Sequence, residues 1–217
     1  MKKKMTPHII AAGAFVVFIV LGLACASTES ASNTSSSYAS SSDGKLGRIW
    51  YPVYDGMKIF GKNSSLMVAY SNKDSRFVAI GRFSNTNYPS KIAYSNNGVN
   101  WDVVSNNPFE TTTIWDVAYG NGKFVAVGDE GKIAYSNNGI NWTLITSFPF
   151  KTTRLARIAY IDNKFFIYGN YIGARMACSD DGLSWTIISN SSLNSSVSAI
   201  SYDNEKYVII KNNGKIA

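Results

Sequence analysis

Four runs of consecutive apolar residues recur along the chain, and each is bounded by turn-forming residues. They occupy residues 77–80, 124–127, 165–168 and 207–210. A strand with one face in water alternates apolar and polar residues, whereas an unbroken apolar run is typical of a strand that is covered on both faces. We therefore predict that each run is an inner strand of a sheet packed between other sheets.

One unit shows the predicted order of strands most clearly. Asn121-Gly122 predicts a two-residue hairpin turn, because this pair tolerates the positive φ that such turns require. Further turns are predicted at 129–131 and 137–139. Together they separate four short strands, which are 115–119, 123–127, 132–136 and 141–145.

The sequence of this unit recurs at a fixed period. Residues 91–101, 132–142 and 175–185 are three copies of one segment, and their closing tryptophans lie 41 and 43 residues apart. The joining segments 108–112 and 149–153 repeat as well. A period in the low forties predicts a propeller or an array. We predict an all-β, β-propeller-like domain over residues 47–217, with about four four-stranded blades.

The two ends of the repeat domain leave two arrangements open. The last copy stops in its third strand at residues 215–217, whereas residues 47–53 align with the fourth-strand segment 98–104. In one arrangement, residues 48–53 pair beside the last strand and close the ring. In the other, the chain is an incomplete ring or part of a larger propeller.

The first 46 residues predict export. Lys2, Lys3 and Lys4 precede an uncharged apolar stretch at 9–23, which is shorter than the roughly 20 residues that span a bilayer. Leu21-Gly22-Leu23-Ala24-Cys25 resembles a bacterial lipobox, which implies cleavage after Ala24 and lipidation of Cys25. We predict a signal peptide at 1–24 and a lipidated cysteine with a Ser-rich tether at 25–46. Cleavage after Ala26 with secretion, or an uncleaved anchor, remains the alternative.

The net charge and the small numbers of histidine and cysteine residues limit the partners and active sites that the chain can have. The net charge of +7 includes three lysines of the signal peptide, and the +4 that remains is scattered, which argues against a nucleic-acid partner. The single histidine, His8, lies in the signal peptide, so we predict no imidazole-based catalysis, no metal site and no cofactor. Cys178 has no disulfide partner once Cys25 is lipidated, and it aligns with Tyr94 and Tyr135 as a small strand residue.

The repeated turn resembles the Asp-box of bacterial neuraminidase-type repeats. Asn stands at two of the three positions where that box has Asp. The resemblance implies a β-propeller in which these residues shape a peripheral turn and carry no activity. The residues concerned are Ser95, Asn97, Gly98, Trp101, Ser136, Asn138, Gly139, Trp142, Ser179, Asp181, Gly182 and Trp185.

A ligand face is predicted where the first strands of the units begin. Asp116 and Arg157 occupy the same position in successive units, and Arg154 lies on the preceding loop. They are tentative ligand contacts, and the alternative is that Asp116 and Arg157 pair with each other or with water. Phe109, Phe150 and Lys151 either line the same face or pack one repeat on the next.

Two functions follow as expectations. The first is a non-catalytic cell-envelope lipoprotein, anchored to a membrane through its lipid, that acts as a binding or scaffold module for an unknown glycan or protein ligand. The second is a glycan-processing hydrolase of the sialidase-like class or a degenerate relative. Such chemistry requires acidic residues, and glutamate occurs only at Glu29, Glu110, Glu130 and Glu205.

Overall fold

A computed structural model describes residues 59–60, 64–83, 90–147, 154–169, 176–188 and 196–216. The predicted signal peptide, Cys25, the tether and residues 47–53 lie outside the described residues. Within the described ranges, no helix has the length and apolar character needed to cross a membrane.

The chain forms a series of antiparallel sheets in which strands that are consecutive in sequence are neighbours. Sheet 1 contains β1 (Ser64–Ser71), β2 (Arg76–Phe83), β3 (Lys91–Ser95) and β4 (Asp102–Val103). Sheet 2 contains β5 (Ile114–Gly120), β6 (Lys123–Gly128), β7 (Ile133–Ser136) and β8 (Thr143–Ile145). Sheet 3 contains β9 (Arg157–Ile161), β10 (Lys164–Tyr168), β11 (Met176–Ser179) and β12 (Thr186–Ile188). Sheet 4 contains β13 (Val197–Asp203) and β14 (Lys206–Lys211).

These sheets confirm the predicted all-β, propeller-like class. The predicted strand bounds hold to within two residues at each end in sheet 2, and the predicted turn at 129–131 is a short 3-10 turn. The Asn121-Gly122 hairpin has positive φ at both residues, 43° and 75°. The backbone therefore adopts the primed turn geometry that such a dipeptide favours.

The second strand of sheet 2 is covered on both faces. Val125 and Val127 belong to one buried cluster with residues of sheet 3, whereas Phe124 and Ala126 belong to another with residues of sheet 1. All four side chains have no measurable exposure. Because alternate side chains of a strand point to opposite faces, the two clusters show that sheets 1, 2 and 3 stack face to face.

The second strand of sheet 3 repeats this arrangement. Phe165 and Ile167 pack towards sheet 2, and Phe166 and Tyr168 pack towards sheet 4. The unbroken apolar runs of the sequence thus mark the strands whose two faces both lie in the core.

The two outermost sheets differ in how their outer faces are covered. Phe60, which is 3% exposed, packs on Ala79 and Ala93 of sheet 1. On sheet 4, Val208 and Ile210 are 44% and 46% exposed. Among the described residues, the apolar clusters join sheet 1 to 2, sheet 2 to 3 and sheet 3 to 4, and none joins sheet 4 to sheet 1.

The predicted third strand of the last unit is present only as one bridge, between Ile210 and Ile216. The segment at 48–53 that was expected to complete this unit lies outside the described residues. Ring closure therefore stays a prediction.

We expect Phe165→Ala to destabilise the fold strongly. Phe165 is fully buried between sheets 2 and 3, with its ring centroid 4.7 Å from that of Tyr160 and 6.5 Å from that of Trp185. Removing a buried aromatic ring costs about 3–5 kcal/mol of unfolding free energy. The matched control, Val208→Ala, alters an exposed side chain and should cost about 0.5 kcal/mol or less. Urea denaturation measures both, and equal losses would contradict the stacked arrangement.

Candidate functional site

Each sheet has two ends, and the antiparallel order decides which loops share an end. We call the upper end the one at which β1, β5, β9 and β13 begin. The connections from second to third strands lie at this end, as does the loop before β9. The hairpins from first to second strands and the repeated turns after β3, β7 and β11 lie at the opposite, lower end.

The repeated turn is held by side-chain hydrogen bonds to the backbone. The Asn97 side-chain oxygen accepts from the N–H groups of Val99 and Asn100, both at 2.9 Å. The Ser95 hydroxyl accepts from the N–H of Gly98 at 2.9 Å, and Gly98 has a φ of +73°. Equivalent bonds form at the two other copies, through Ser136, Asn138, Gly139, Ser179, Asp181 and Gly182.

In the third copy of this turn, Asp181 takes the place of Asn97 and Asn138 and adds a negative charge. Burial raises the pKa of its carboxyl, but the hydrogen bonds from Ser184, Leu183 and Ser179 outweigh that effect, so the pKa lies below its usual value. The same acceptor geometry thus serves both Asn and Asp, because the turn requires an oxygen and not a charge.

The turns also join neighbouring sheets. Trp142 is 5% exposed and belongs to the cluster shared with sheet 1, and its indole N–H donates to the Gly139 carbonyl at 3.1 Å. Trp185 packs against the cluster shared by sheets 2 and 3, whereas Trp101 packs with Phe60. A Cβ atom at Gly139 would lie 2.7 Å from Val78 of sheet 1, and one at Gly182 would lie 2.9 Å from Val125 of sheet 2.

A cluster of arginines surrounds one tryptophan at the upper end. The guanidinium carbons of Arg82 and Arg154 lie 3.9 Å and 4.1 Å from the centroid of the Trp115 ring. The Trp115 indole N–H donates to Asp129 Oδ1 at 2.7 Å, and Arg154 Nε donates to the same oxygen at 3.0 Å. We call Arg82, Trp115, Asp129 and Arg154 the arginine–tryptophan cluster. It gathers side chains from sheets 1 and 2 and from the loop before β9.

Arg82 is the most crowded cation of the cluster. Burial lowers the pKa of its guanidinium, the charges of Arg157 and Arg154 lower it further, and Asp129 opposes them. Three arginines therefore share one region of the upper end. Their mutual repulsion is offset in part by cation–π contact with Trp115.

Asp116 lies next to this cluster, at the start of β5. One carboxylate oxygen accepts from the N–H of Val117 at 2.9 Å, and the other accepts from the N–H of Ile158 in sheet 3 at 3.1 Å. Burial raises the pKa of Asp116 to about 6, against the opposing effects of these two bonds and of Arg157. The residue keeps a little exposed surface, although protein atoms surround the carboxyl group.

Arg157 does not neutralise Asp116 through a direct ion pair in the part of the chain that the structure describes. Its Nη1 instead approaches the sulfur of Met67 in β1 at 3.8 Å. Tyr168 lies opposite Arg157 in β10, and burial followed by the Asp116 charge raises the pKa of its phenol to about 12. Met67, Asp116 and Arg157 each pair with the last residue of an apolar run, Ile80, Val127 and Tyr168, so they occupy equivalent positions. The three first strands thus meet at these residues.

The structure brings the predicted ligand-face residues Asp116, Arg154 and Arg157 to one end of the molecule. Phe109 has no exposed surface and packs in the core between sheets 1 and 2, so it joins repeats and does not line the face. Phe150 and Lys151 lie outside the described residues. Cys178 is half-buried against the cluster between sheets 3 and 4.

Three residues of the upper end were missed in the sequence. The strand pattern predicts Trp115 only as a strand residue, and Asp129 only as part of a turn. Arg82 comes from a different unit, 33 positions before Trp115. Its place at the end of a second strand puts it at the upper end, because second strands run opposite to first strands. The strand order predicted from the sequence is therefore sufficient to place Arg82 at the upper end.

The lower end carries an open depression of about 500 Å³, lined in part by Tyr70, Lys73, Asn121 and Tyr160. The Tyr70 and Tyr160 rings also pack in tilted orientations against phenylalanines of the adjoining second strands, with centroids 4.5 Å and 4.7 Å apart. Among the described residues, no group of three or more His, Cys, Asp or Glu side chains is placed to hold a metal ion.

We expect Asp116→Asn to change how stability depends on pH. The folded pKa of about 6 exceeds the usual 3.8, so protonation of Asp116 favours the folded state. That contribution is complete below the usual value and is lost as the pH rises through about 6. Asn stays neutral, so the unfolding free energy of the wild type should fall relative to the variant across this range. Urea denaturation at several pH values measures it.

The matched control for this prediction is Asp102→Asn, which alters an exposed aspartate in β4. Asp116→Asn also loses one of two backbone hydrogen bonds, since an amide has one acceptor oxygen, but that loss shifts stability equally at all pH values. A wild-type-to-variant difference that does not change with pH would contradict the raised pKa.

Comparison with known proteins identifies a shared fold. No family model and no curated protein matches the chain. Virginiamycin B lyase from Staphylococcus aureus is 13% identical, with a TM-score of 0.50 over 69% of this chain and 53% of that one. A structure described as YCF48 bound to D1 peptide is 16% identical, with a TM-score of 0.49 over 69% of this chain and 48% of that one. The chain thus spans about half the length of each of these proteins, and the similarity to virginiamycin B lyase shows a shared β-propeller fold.

Proposed function

We propose that this protein is a non-catalytic binding module of the cell envelope, anchored through a lipidated Cys25 and contacting its ligand with the arginine–tryptophan cluster. The anchor rests on the lipobox-like sequence before Cys25. The ligand face rests on the two guanidinium groups that lie over one indole at the upper end. The Ser-rich segment at 25–46 then serves as a tether that holds the module away from the membrane.

The position of the cluster supports a role in binding. The sheets are already joined by buried apolar clusters, so cations are not needed to hold them together. Arg154 and Asp129 remain 36% and 28% exposed and are therefore reachable from solvent. Arginine and tryptophan are also the residues that contribute most to binding energy in interfaces, because they combine a flat apolar surface with directed donors.

The alternative is a glycan-processing hydrolase of the sialidase-like class. The raised pKa of Asp116 beside Arg157 favours it, since a carboxyl group whose pKa is raised towards neutral pH is better suited to exchange a proton with a substrate. Both oxygens of Asp116, however, accept backbone N–H groups. We place Asp116 as a link between sheets 2 and 3, and we propose binding without turnover.

We expect Cys25→Ser to abolish lipidation. Full-length protein in bacterial cells fed an alkynyl fatty acid should carry the label and partition with membranes, and the variant should do neither. Cys178→Ser is the matched control, because Cys25 and Cys178 are the two cysteines of the sequence, and it should label like the wild type. Label that persists on Cys25→Ser would rule out the lipobox interpretation.

We expect Trp115→Ala to reduce ligand binding by about tenfold or more, as for a central aromatic contact residue. Detergent-solubilised full-length protein on glycan and peptide arrays provides the measurement. Trp115→Phe keeps an aromatic ring at this position, and it is the second variant in case Trp115→Ala fails to fold. Tyr70→Ala is the control, since it removes a 45% exposed aromatic ring at the lower end.

Two outcomes would count against this proposal. Loss of binding in Tyr70→Ala with full binding in Trp115→Ala would move the ligand face to the lower end. Hydrolysis of fluorogenic sialosides by the same protein, abolished by Asp116→Asn, would contradict the non-catalytic role.

A further inference from the structure

Three arginines of the upper end lie beside one another around Trp115 and Met67. Arg82 and Arg154 lie over the same Trp115 ring, and Arg82 and Arg157 donate to Ser65 and Met67, which are two positions apart on one face of β1. The charges of Arg154 and Arg157 accordingly lower the pKa of Arg82.

Among the described residues, Asp129 and Asp116 are the carboxylates that act on these arginines, whereas Glu130 lies 3.6 Å from Lys132. Asp129 uses one oxygen for both Trp115 and Arg154, and Asp116 uses both oxygens for backbone N–H groups.

Arg157 has few partners for its donors. A guanidinium carries five N–H donors, whereas the hydrogen bond that Arg157 makes within the described residues goes to the sulfur of Met67 at 3.8 Å. A thioether sulfur is a weak acceptor. Most donors of this half-buried guanidinium therefore have no hydrogen-bond acceptor among the described residues.

Arg82 is in a similar position. Its hydrogen bond goes to the Ser65 hydroxyl at 3.5 Å, the outer limit for such a bond, and no carboxylate of the described residues pairs with it. Its contact with the Trp115 ring restrains the guanidinium before any ligand arrives. A restrained donor loses less conformational entropy on binding than a free one.

We propose that Arg82 and Arg157 together bind an oxyanion, the carboxylate, sulfate or phosphate group of an acidic ligand. This inference rests on the proposed binding function and names the chemical class of the ligand. Guanidinium groups suit such a partner because they form paired, charge-assisted hydrogen bonds to two oxygens. The anion would also remove the repulsion between the two cations, while Trp115 offers a flat surface to the neighbouring part of the ligand.

The test is a titration of the full-length protein with sodium sulfate, sodium phosphate and sodium acetate at constant ionic strength. Intrinsic tryptophan fluorescence reports binding, because Arg82 lies over Trp115 and shifts when it engages an anion. Calorimetry on the same samples gives an independent affinity. We expect saturable binding of at least one anion, and the preferred anion distinguishes a carboxylate from a sulfate or phosphate ligand.

The variants are Arg82→Gln and Arg157→Gln, each of which should weaken anion binding by about tenfold or more, as expected for the loss of a charge-assisted pair. Arg82→Lys keeps the positive charge but loses the paired N–H donors, so its anion affinity should lie between those of the wild type and Arg82→Gln. Lys73→Gln is the matched control, since it removes an exposed cation at the lower end and should bind like the wild type. Equal anion binding by all variants, or no saturable binding of any of the three anions, would overturn the inference.

The arrays separate this inference from the proposed function. If Trp115→Ala loses ligands that are neutral, and Arg82→Gln and Arg157→Gln keep them, the module binds at the upper end but the oxyanion inference is wrong. If the two arginine variants lose the small anions while Trp115→Ala keeps every array ligand, the oxyanion site stands and the proposed ligand face is wrong.

Discussion

The whole arrangement depends on covering both faces of each inner strand. An isolated four-stranded sheet built on runs such as Phe124–Val127 would leave both of its apolar faces in water, at a cost of about 25 cal/mol per Å². Stacking sheet against sheet removes that cost, and it requires side chains of alternate strand positions to fit two different neighbours. This is why the clusters on the two sides of β6 share no residue, and why each sheet is stable only in the company of the next.

Much of the sheet architecture can be predicted from the sequence, because strands and turns depend on local residue patterns. Strand order, hairpin turns and the Asn- or Asp-centred turns each follow from residues close together in the chain, and their repetition at a constant period reinforces each assignment. The bounds of the fourth strand are predicted less accurately. The one predicted at 141–145 begins two residues later, because Asn141 belongs to the turn that Asn138 holds.

The upper-end site was only partly predictable, since it is assembled across units. Asp116 and Arg157 stood out because aligned positions in successive units carried opposite charges. The sequence does not predict that both carboxylate oxygens of Asp116 accept hydrogen bonds from backbone N–H groups. It also does not predict that Arg82 of the preceding sheet contacts the Trp115 ring. Contacts between side chains of different repeats depend on the rotation from one sheet to the next, and no local pattern encodes that rotation.

The close approach of the repeated turns to neighbouring sheets divides three sequence-equivalent glycines into two kinds. At Gly98 the nearest atom of the described residues to an added Cβ is 3.6 Å away, on Phe77 of the same sheet, so among these residues the restriction comes from the positive φ. Asn or Asp, which tolerate that conformation, are admissible there over evolutionary time. At Gly139 and Gly182 the adjoining sheet occupies the space of any side chain. We therefore expect the three copies of this turn to tolerate substitution unequally, with the tighter limits at the two turns that lie against an adjoining sheet.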